Sequence, residues 1–289
     1  MTFEMYGKLY GLSIAEFIRK AIEEDVGDGD HTSLSTIAAG SKSKAMVKAK
    51  ANGIVAGLVV ADLVLNEVDP ELKVKVLVSE GTPVKPNDEL MHLEGDTQSL
   101  LKAERLLLNC MQRMSGIATK TNALVNMIQG TSAKLLDTRK TTPNFRIFEK
   151  WAVHIGGGSN HRFGLYDMIL IKDNHVDACG GIEKAIERAS DYLQRTRKDL
   201  KIEIETRSIA EVQKVLDYGK VHRIMLDNFQ PAILKDAVNM IGGKYETEAS
   251  GGITEENIRE IAETGVDFIS VGALTHSFTS LDISMKIVS

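Results

Sequence analysis

The chain has 289 residues, 43% of them hydrophobic and 26% charged, with two cysteines and a net charge of −5. Its longest apolar runs, such as Gly57-Leu58-Val59-Val60-Ala61, fall far short of the roughly 20 residues a membrane span requires, and Cys110 and Cys179 lie too far apart for a CxxC redox pair, a zinc cluster or a disulfide framework. The acidic balance speaks against general nucleic-acid binding. Met1-Thr2-Phe3-Glu4-Met5 has no basic region leading into an apolar one, so no secretory signal is expected, and two free thiols suit a reducing cytoplasm.

In chain order, Ile14, Phe17, Ile18, Ala21 and Ile22 recur at helical spacing, with Ser13 as the expected N-cap. Glu24 to Ser33 reads as a turn-rich acidic loop that lacks the ordered ligands and closing Glu of an EF-hand. Lys44–Lys50 and Lys73–Val78 alternate like half-buried strands, and Leu58–Val68 between them reads as a helix. Glu80–Asp88 is an expected turn, followed by a strand over Glu89–Leu93. Thr97 to about Gln129 predicts one long helix with a kink near Ser115-Gly116.

From about residue 133 a regular alternation begins. Short β-rich runs at Ala133–Asp137, Met168–Lys172, Ile202–Glu205, Ile224–Asp227, Glu246–Ser250 and Phe268–Gly272 are each followed by a helical stretch. A polar residue or glycine ends every run, and the last three intervals between run ends are 22, 23 and 22 residues. This is the cadence of βα units on a parallel sheet. Functional groups gathered at the ends of several strands favour a barrel over a doubly wound sheet. The segment from 112 to 275 is well short of the roughly 250 residues of a full eight-stranded barrel, so an incomplete α/β barrel is expected.

Charge is unevenly spread. Lys102 to His175 holds eleven Lys/Arg against five Asp/Glu, and three of the seven histidines, leaving the remainder at −11. Such a segment serves either as an anion pocket or as a solvated helix face. Within it, Asp137-Thr138-Arg139-Lys140-Thr141-Thr142-Pro143 follows a strand directly and offers two adjacent cations and three hydroxyls; a polar loop is the bland alternative. Gly156-Gly157-Gly158-Ser159-Asn160-His161-Arg162 lets backbone approach a ligand but matches neither a Walker loop nor a Rossmann fingerprint. Glu205 and Asp227, ending consecutive strands, suit magnesium beside phosphate groups, general acid–base work, or ion pairs with Lys172 or Arg139. Ser250-Gly251-Gly252-Ile253-Thr254, with Val271-Gly272-Ala273 at the next strand end, is the expected phosphate cradle.

The motifs Asp137–Pro143, Glu149-Lys150, Gly156–Gly158, Asn160-His161-Arg162-Phe163-Gly164-Leu165 and Ile171-Lys172-Asp173-Asn174-His175 together resemble quinolinate phosphoribosyltransferase, the carboxylating nicotinate-nucleotide pyrophosphorylase. Glu24–Asp30, Ser115–Thr119, Leu226–Phe229, Ser250–Ile253 and Val271–Ser277 extend the resemblance over nearly the whole chain. Asn144-Phe145 and His31 depart from the family pattern without removing a ligand.

The resemblance implies a type II phosphoribosyltransferase-like fold: an N-terminal open α/β sandwich (1–112, with the tail 276–289 packed on it) and an incomplete α/β barrel (113–275). It implies a homodimer or dimer-based oligomer with a shared site, completed by Arg105 from the neighbouring subunit. The implied substrates are quinolinate and phosphoribosyl pyrophosphate, and the products nicotinate mononucleotide, pyrophosphate and CO2 in de novo NAD biosynthesis. Arg105, Arg139, His161 and Arg162 would clamp the diacid, and Thr138 would contact the substrates. Lys140 and Lys172 would act near the substrates. Glu205 and Asp227 would hold Mg2+, and Ser250, Gly251, Gly252, Val271, Gly272 and Ala273 the 5-phosphate. No nucleic-acid or membrane partner is implied. The alternatives are a nicotinate phosphoribosyltransferase, a molybdenum-transport-associated relative, a Schiff-base lyase using Lys172, and a non-catalytic anion binder.

Overall fold

The computed structural model describes residues 14–288, so Met1–Met5 and the expected cap Ser13 lie outside it. The chain separates into two compact units. The first comprises residues up to 122, 141–157 and 274 onward; the second comprises 123–140 and 158–273.

In the first unit, α1 (Ile14–Val26) and α2 (His31–Thr36) frame a short turn. The acidic loop expected over Glu24–Ser33 is therefore mostly helical. The reason is local: the Asp30 carboxylate accepts the Ser33 N–H at 3.1 Å and starts a new helix. Strand β1 (Lys42–Ala49) buries Ala45, Val47 and Ala49 and turns its lysines outward. The pair β2 (Gly53–Ile54) precedes α3 (Leu58–Val68), then β3 (Lys73–Val76), β4 (Pro83–Val84) and β5 (Glu89–Asp96). The turn expected over Glu80–Asp88 thus contains a strand, because Pro83-Val84 pairs antiparallel with Gly53-Ile54. Helix α4 (Thr97–Met127) follows without a break. Gly116 serves close approach rather than a kink: a Cβ there would collide with the Thr279 carbonyl oxygen.

The tail returns as β12 (Ile283–Val288), which pairs antiparallel with β1 and completes a four-stranded sheet in the order β12-β1-β5-β3. The buried face of this sheet packs with Ile18 of α1, Leu65 of α3, and Leu100, Leu107 and Met111 of α4 in one core.

The second unit is built on β6 (Lys134–Leu136), β7 (Ile169–Ile171), β8 (Ile202–Thr206), β9 (Arg223–Asp227), β10 (Glu246–Ser250) and β11 (Phe268–Ser270). All six runs expected from the sequence are strands. They form one parallel sheet in the order β6-β11-β10-β9-β8-β7, so β6 and β7 are its two edges. A single parallel bridge, Leu136 to Ser159, continues the sheet beyond β6. The sheet does not close on itself, and the fold is the expected incomplete α/β barrel. Between the strands run α6 (Asp173–Cys179), α7 (Ile182–Thr196), α8 (Ile209–Tyr218), α9 (Pro231–Ile241) and α10 (Ile258–Ala262). Helix α5 (Arg146–Ile155) belongs to the first unit, and α11 (Ala273–His276) follows β11. Every residue of β8 is buried, as expected for a parallel strand covered on both faces.

Candidate active site

Strand β6 delivers Asp137 and the basic loop behind it. Asp137 is fully buried, and its carboxylate accepts the His161 N–H at 2.9 Å and the Asn160 Nδ2–H at 2.6 Å. It therefore ties the loop after the glycines to the end of β6. The Lys140 N–H donates to Thr138 Oγ1 at 3.0 Å, which turns the chain beyond Arg139. Arg139 Nε is buried and finds no acceptor among the described residues. A guanidinium N–H held this way is costly unless an anion meets it.

Arg162 is the second cation here. Its Nη1 donates to the Met168 carbonyl at 3.1 Å. Burial lowers its proton affinity, and the charge of Arg139 lowers it further. Two like charges are thus held within influence of each other, an arrangement that an acidic ligand would relieve.

Strand β7 ends at Lys172, whose Nζ lies 3.4 Å from Glu205 Oε2 at the end of β8. Asp227 ends the adjacent strand β9 and accepts the Asn228 Nδ2–H at 2.6 Å. Asn228 is left-handed (φ 58°), and its N–H donates to the Ser250 carbonyl at 2.8 Å. Gly251, at φ 87°, leaves the space that the Asn228 side chain fills; a Cβ there would displace that amide and strain the backbone. The Asn257 Nδ2–H donates to the Gly252 carbonyl at 3.0 Å, closing the turn. Val271 is buried, and its N–H donates to the Leu136 carbonyl at 3.0 Å, which fixes Val271-Gly272-Ala273 at the end of β11.

His161 is placed differently from Arg139. Its Nε2 lies 3.0 Å from Glu203 Oε2 and 3.4 Å from Glu248 Oε2, and its Nδ1 accepts the Arg162 N–H at 2.7 Å. Burial opposes a charge on this ring, but Glu203 and Glu248 outweigh it and push the imidazole up to about 9. Glu203 and Glu248 are fully buried, and Arg223 Nη1 meets Glu248 Oε2 at 2.9 Å. Burial and Glu248 push the Glu203 carboxyl up to about 7. Glu248 is also raised by burial, but His161 and Arg223 outweigh that and hold it below the ordinary carboxylate range. The sequence reading does not single out Glu203, Arg223 or Glu248.

In the first unit, buried Glu149 accepts the Thr142 N–H at 3.0 Å and Arg113 Nη2–H at 3.1 Å, while Arg113 also donates to Thr142 Oγ1 at 2.9 Å. This shapes Thr141-Thr142-Pro143. Arg105 is exposed on α4. Cys110 is buried and its thiol pushed up to about 12, so it is no nucleophile. A groove of about 460 Å³ along β7, lined by Ile171, His175, Cys179 and Arg188 among others, includes none of the candidate site residues.

Family models match the chain in two consecutive parts: the N-terminal domain of quinolinate phosphoribosyl transferase over residues 30–115 and its C-terminal domain over 117–286. The chain is 46% identical to quinolinate phosphoribosyltransferase (decarboxylating) 1 of Nicotiana glauca, covering 93% of this chain and 81% of that protein. It is 45% identical to the chloroplastic nicotinate-nucleotide pyrophosphorylase (carboxylating) of Arabidopsis thaliana, covering 93% and 81%. Among solved structures, the nicotinate-nucleotide pyrophosphorylase of Francisella tularensis matches with a TM-score of 0.89 at 38% identity, covering 95% of this chain and 96% of that one.

Proposed function

The chain belongs to the quinolinate phosphoribosyl transferase family, and from that premise we propose how its residues carry out the decarboxylating transfer. The enzyme joins quinolinate to phosphoribosyl pyrophosphate, giving nicotinate mononucleotide, pyrophosphate and CO2 for NAD biosynthesis. The observation that carries the residue assignment is the buried, acceptor-less Nε of Arg139 beside the second cation Arg162. A dicarboxylate satisfies both: it supplies the missing acceptor and the missing counter-charge.

In this reading Arg139 and Arg162 clamp the two carboxylates, with Thr138 and Lys140 at the rim. Ser250, Gly251, Gly252, Val271, Gly272 and Ala273 cradle the 5-phosphate through backbone N–H groups. Lys172, at the end of β7, has its ammonium paired with Glu205 and would be drawn on by the pyrophosphate. The ring nitrogen attacks the ribose C1 as the C1–O bond to pyrophosphate breaks. That bond leaves the nitrogen positively charged, so the electron pair of the C–CO2 bond beside it stays on the ring carbon as CO2 departs, and a proton from solvent then takes that pair to give the C–H of nicotinate mononucleotide. The carboxylates of Glu205 and Asp227 favour positive character at C1 in the transition state.

The same two carboxylates end neighbouring strands and offer hard oxygen donors, a set that fits Mg2+. Bound there, the ion would take up charge on the leaving pyrophosphate. We also propose a homodimer in which Arg105 of one protomer reaches the clamp of the other, supported by its exposed position on α4. A cytoplasmic location fits the two unpaired cysteines; among the described residues no helix is long and apolar enough to cross a membrane.

The Schiff-base reading is not favoured: it needs a neutral amine, and Lys172 is ion-paired. Replacing Arg139 tests the clamp. Arg139→Ala should lower kcat/KM for quinolinate by about 100-fold or more, the scale for truncating one member of a buried charge pair, with an unchanged thermal midpoint. Turnover within a few-fold of wild type would remove Arg139 from the clamp.

A further inference from the structure

Asp227 and Ser250 are register partners at the ends of the parallel strands β9 and β10. In the functional reading the first serves the ribose and the second opens the 5-phosphate cradle. Beside both lies Asn228, which has no part in the transfer so far. Its backbone is left-handed, φ 58°, a conformation that Asn and Asp adopt more readily than other residues with a side chain. Its N–H donates to the Ser250 carbonyl at 2.8 Å, one step beyond the paired strands. Its side chain meets two neighbours at once. The Nδ2–H donates to Asp227 Oδ2 at 2.6 Å, and the amide occupies the place where a Cβ on Gly251 would fall.

We propose that Asn228 is a positioning residue: it locks the Asp227 carboxylate and the Gly251 turn together, so that the sugar and the 5-phosphate of phosphoribosyl pyrophosphate are received at a fixed spacing. The inference rests on the reading of Asp227 and Ser250–Gly252 as the phosphoribosyl side of the site. Asp227 is only half-buried, and a carboxylate at a strand end can turn about its side-chain bonds. A donor on Oδ2 holds it in one orientation and leaves Oδ1 to a ligand. The same amide, seated against Gly251, ties that orientation to the cradle. The far side of the cradle is held in a similar way. Asn257 Oδ1 accepts the Thr254 N–H at 2.8 Å, while its Nδ2–H donates to the Gly252 carbonyl at 3.0 Å. Gly251 and Gly252 are thus flanked by two asparagine amides, and of the two Asn228 is the one bonded to Asp227.

Three requirements meet at position 228. The backbone must be left-handed, the side chain must donate a hydrogen bond, and it must be short enough to lie against a glycine. A glycine would meet the first and offer no donor. An aspartate would meet the first and third but set a second carboxylate against Asp227, a like-charge contact. An alanine would strain the turn and donate nothing. Asparagine meets all three. The fit is mutual, because the amide has its place only while residue 251 lacks a Cβ.

The test compares steady-state kinetics of the full-length enzyme with each substrate varied in turn. Asn228→Gly keeps the backbone conformation and removes the amide. The KM for phosphoribosyl pyrophosphate should rise about 10-fold or more, the scale for removing a group that orients a ligating carboxylate, while the quinolinate KM stays within about 2-fold. Should Asn228→Gly fail to fold, Asn228→Asp carries the same test, since it keeps both the backbone and the size; the same split is expected. Two KM values that stay at wild type, or that rise together, would overturn the proposal. A second measurement needs no substrate. Gly251→Ala should lower the thermal midpoint in wild type, and lower it less when Asn228→Gly is also present, because the amide that the methyl displaces is gone. An equal drop in both backgrounds contradicts the contact. A wild type that consumes no quinolinate would sink the functional reading instead, and the pair of thermal midpoints would still judge the hold of Asn228 on Gly251.

Discussion

Glu80 shows how one side chain can be both needed and strained by its place. It accepts the Gly57 N–H at 2.9 Å and the Val59 N–H at 3.1 Å, where α3 begins and its first N–H groups lack partners within the helix. Burial nevertheless drives its carboxyl from 4.5 up to about 7, with those bonds pulling the other way. The folded protein therefore binds this proton more tightly than the unfolded chain. The resulting stability is full below about pH 4.5 and is lost as pH rises through about 7. Between pH 5 and 8, wild type should lose on the order of 2 kcal/mol relative to Glu80→Gln, which does not titrate, in denaturation measured at both pH values. A difference that stays constant with pH would refute this. In sequence Glu80 is one polar residue of a turn; its partners lie 21 and 23 positions away, a pairing that no local pattern encodes. Arg139 is different. It is legible because two cations directly after a strand are already unusual, whereas the carboxylates beside His161, Glu203 and Glu248, are brought near it only by the fold.

Among elements, α4 separates propensity from packing. Helix propensity alone predicts that Gly116→Ala stabilises by about 1 kcal/mol. A Cβ at that position, however, would overlap the Thr279 carbonyl oxygen and come within 3.0 Å of the Ser280 Cα. These are backbone atoms that cannot rotate away. Gly116→Ala should therefore destabilise by about 1–3 kcal/mol, seen as a lower urea midpoint; a higher midpoint would mean that the tail yields. The strands of the second unit are readable from sequence because each is a short β-rich run closed by a polar residue or glycine and followed by a helical stretch. The acids buried inside them are harder to see. Ile202-Glu203-Ile204-Glu205-Thr206 and Glu246-Thr247-Glu248-Ala249-Ser250 do carry a signal, an acid at every second position in strands buried on both faces. The two-residue strands β2 and β4 carry none, since each exists only through the other.

At the scale of the whole molecule, the chain devotes one unit to an antiparallel sheet closed by its own tail and the other to an open parallel barrel. The basic stretch from Lys102 to His175 runs through both, so the surplus of positive charge in an acidic protein is not confined to one helix face. In the barrel it ends as Arg139, Arg162 and Lys172, three cations from separate strands and loops. In the proposed clamp of Arg139 and Arg162 a monoacid would leave one guanidinium unmatched; a diacid that sheds one carboxylate only after its ring nitrogen is quaternised meets both. The decisive measurement supplies phosphoribosyl pyrophosphate and Mg2+ with either quinolinate, labelled in the carboxylate beside the ring nitrogen, or nicotinate. One labelled CO2 per nicotinate mononucleotide formed, and no comparable turnover of nicotinate, is the predicted result; efficient use of nicotinate, or product that keeps the label, would contradict it.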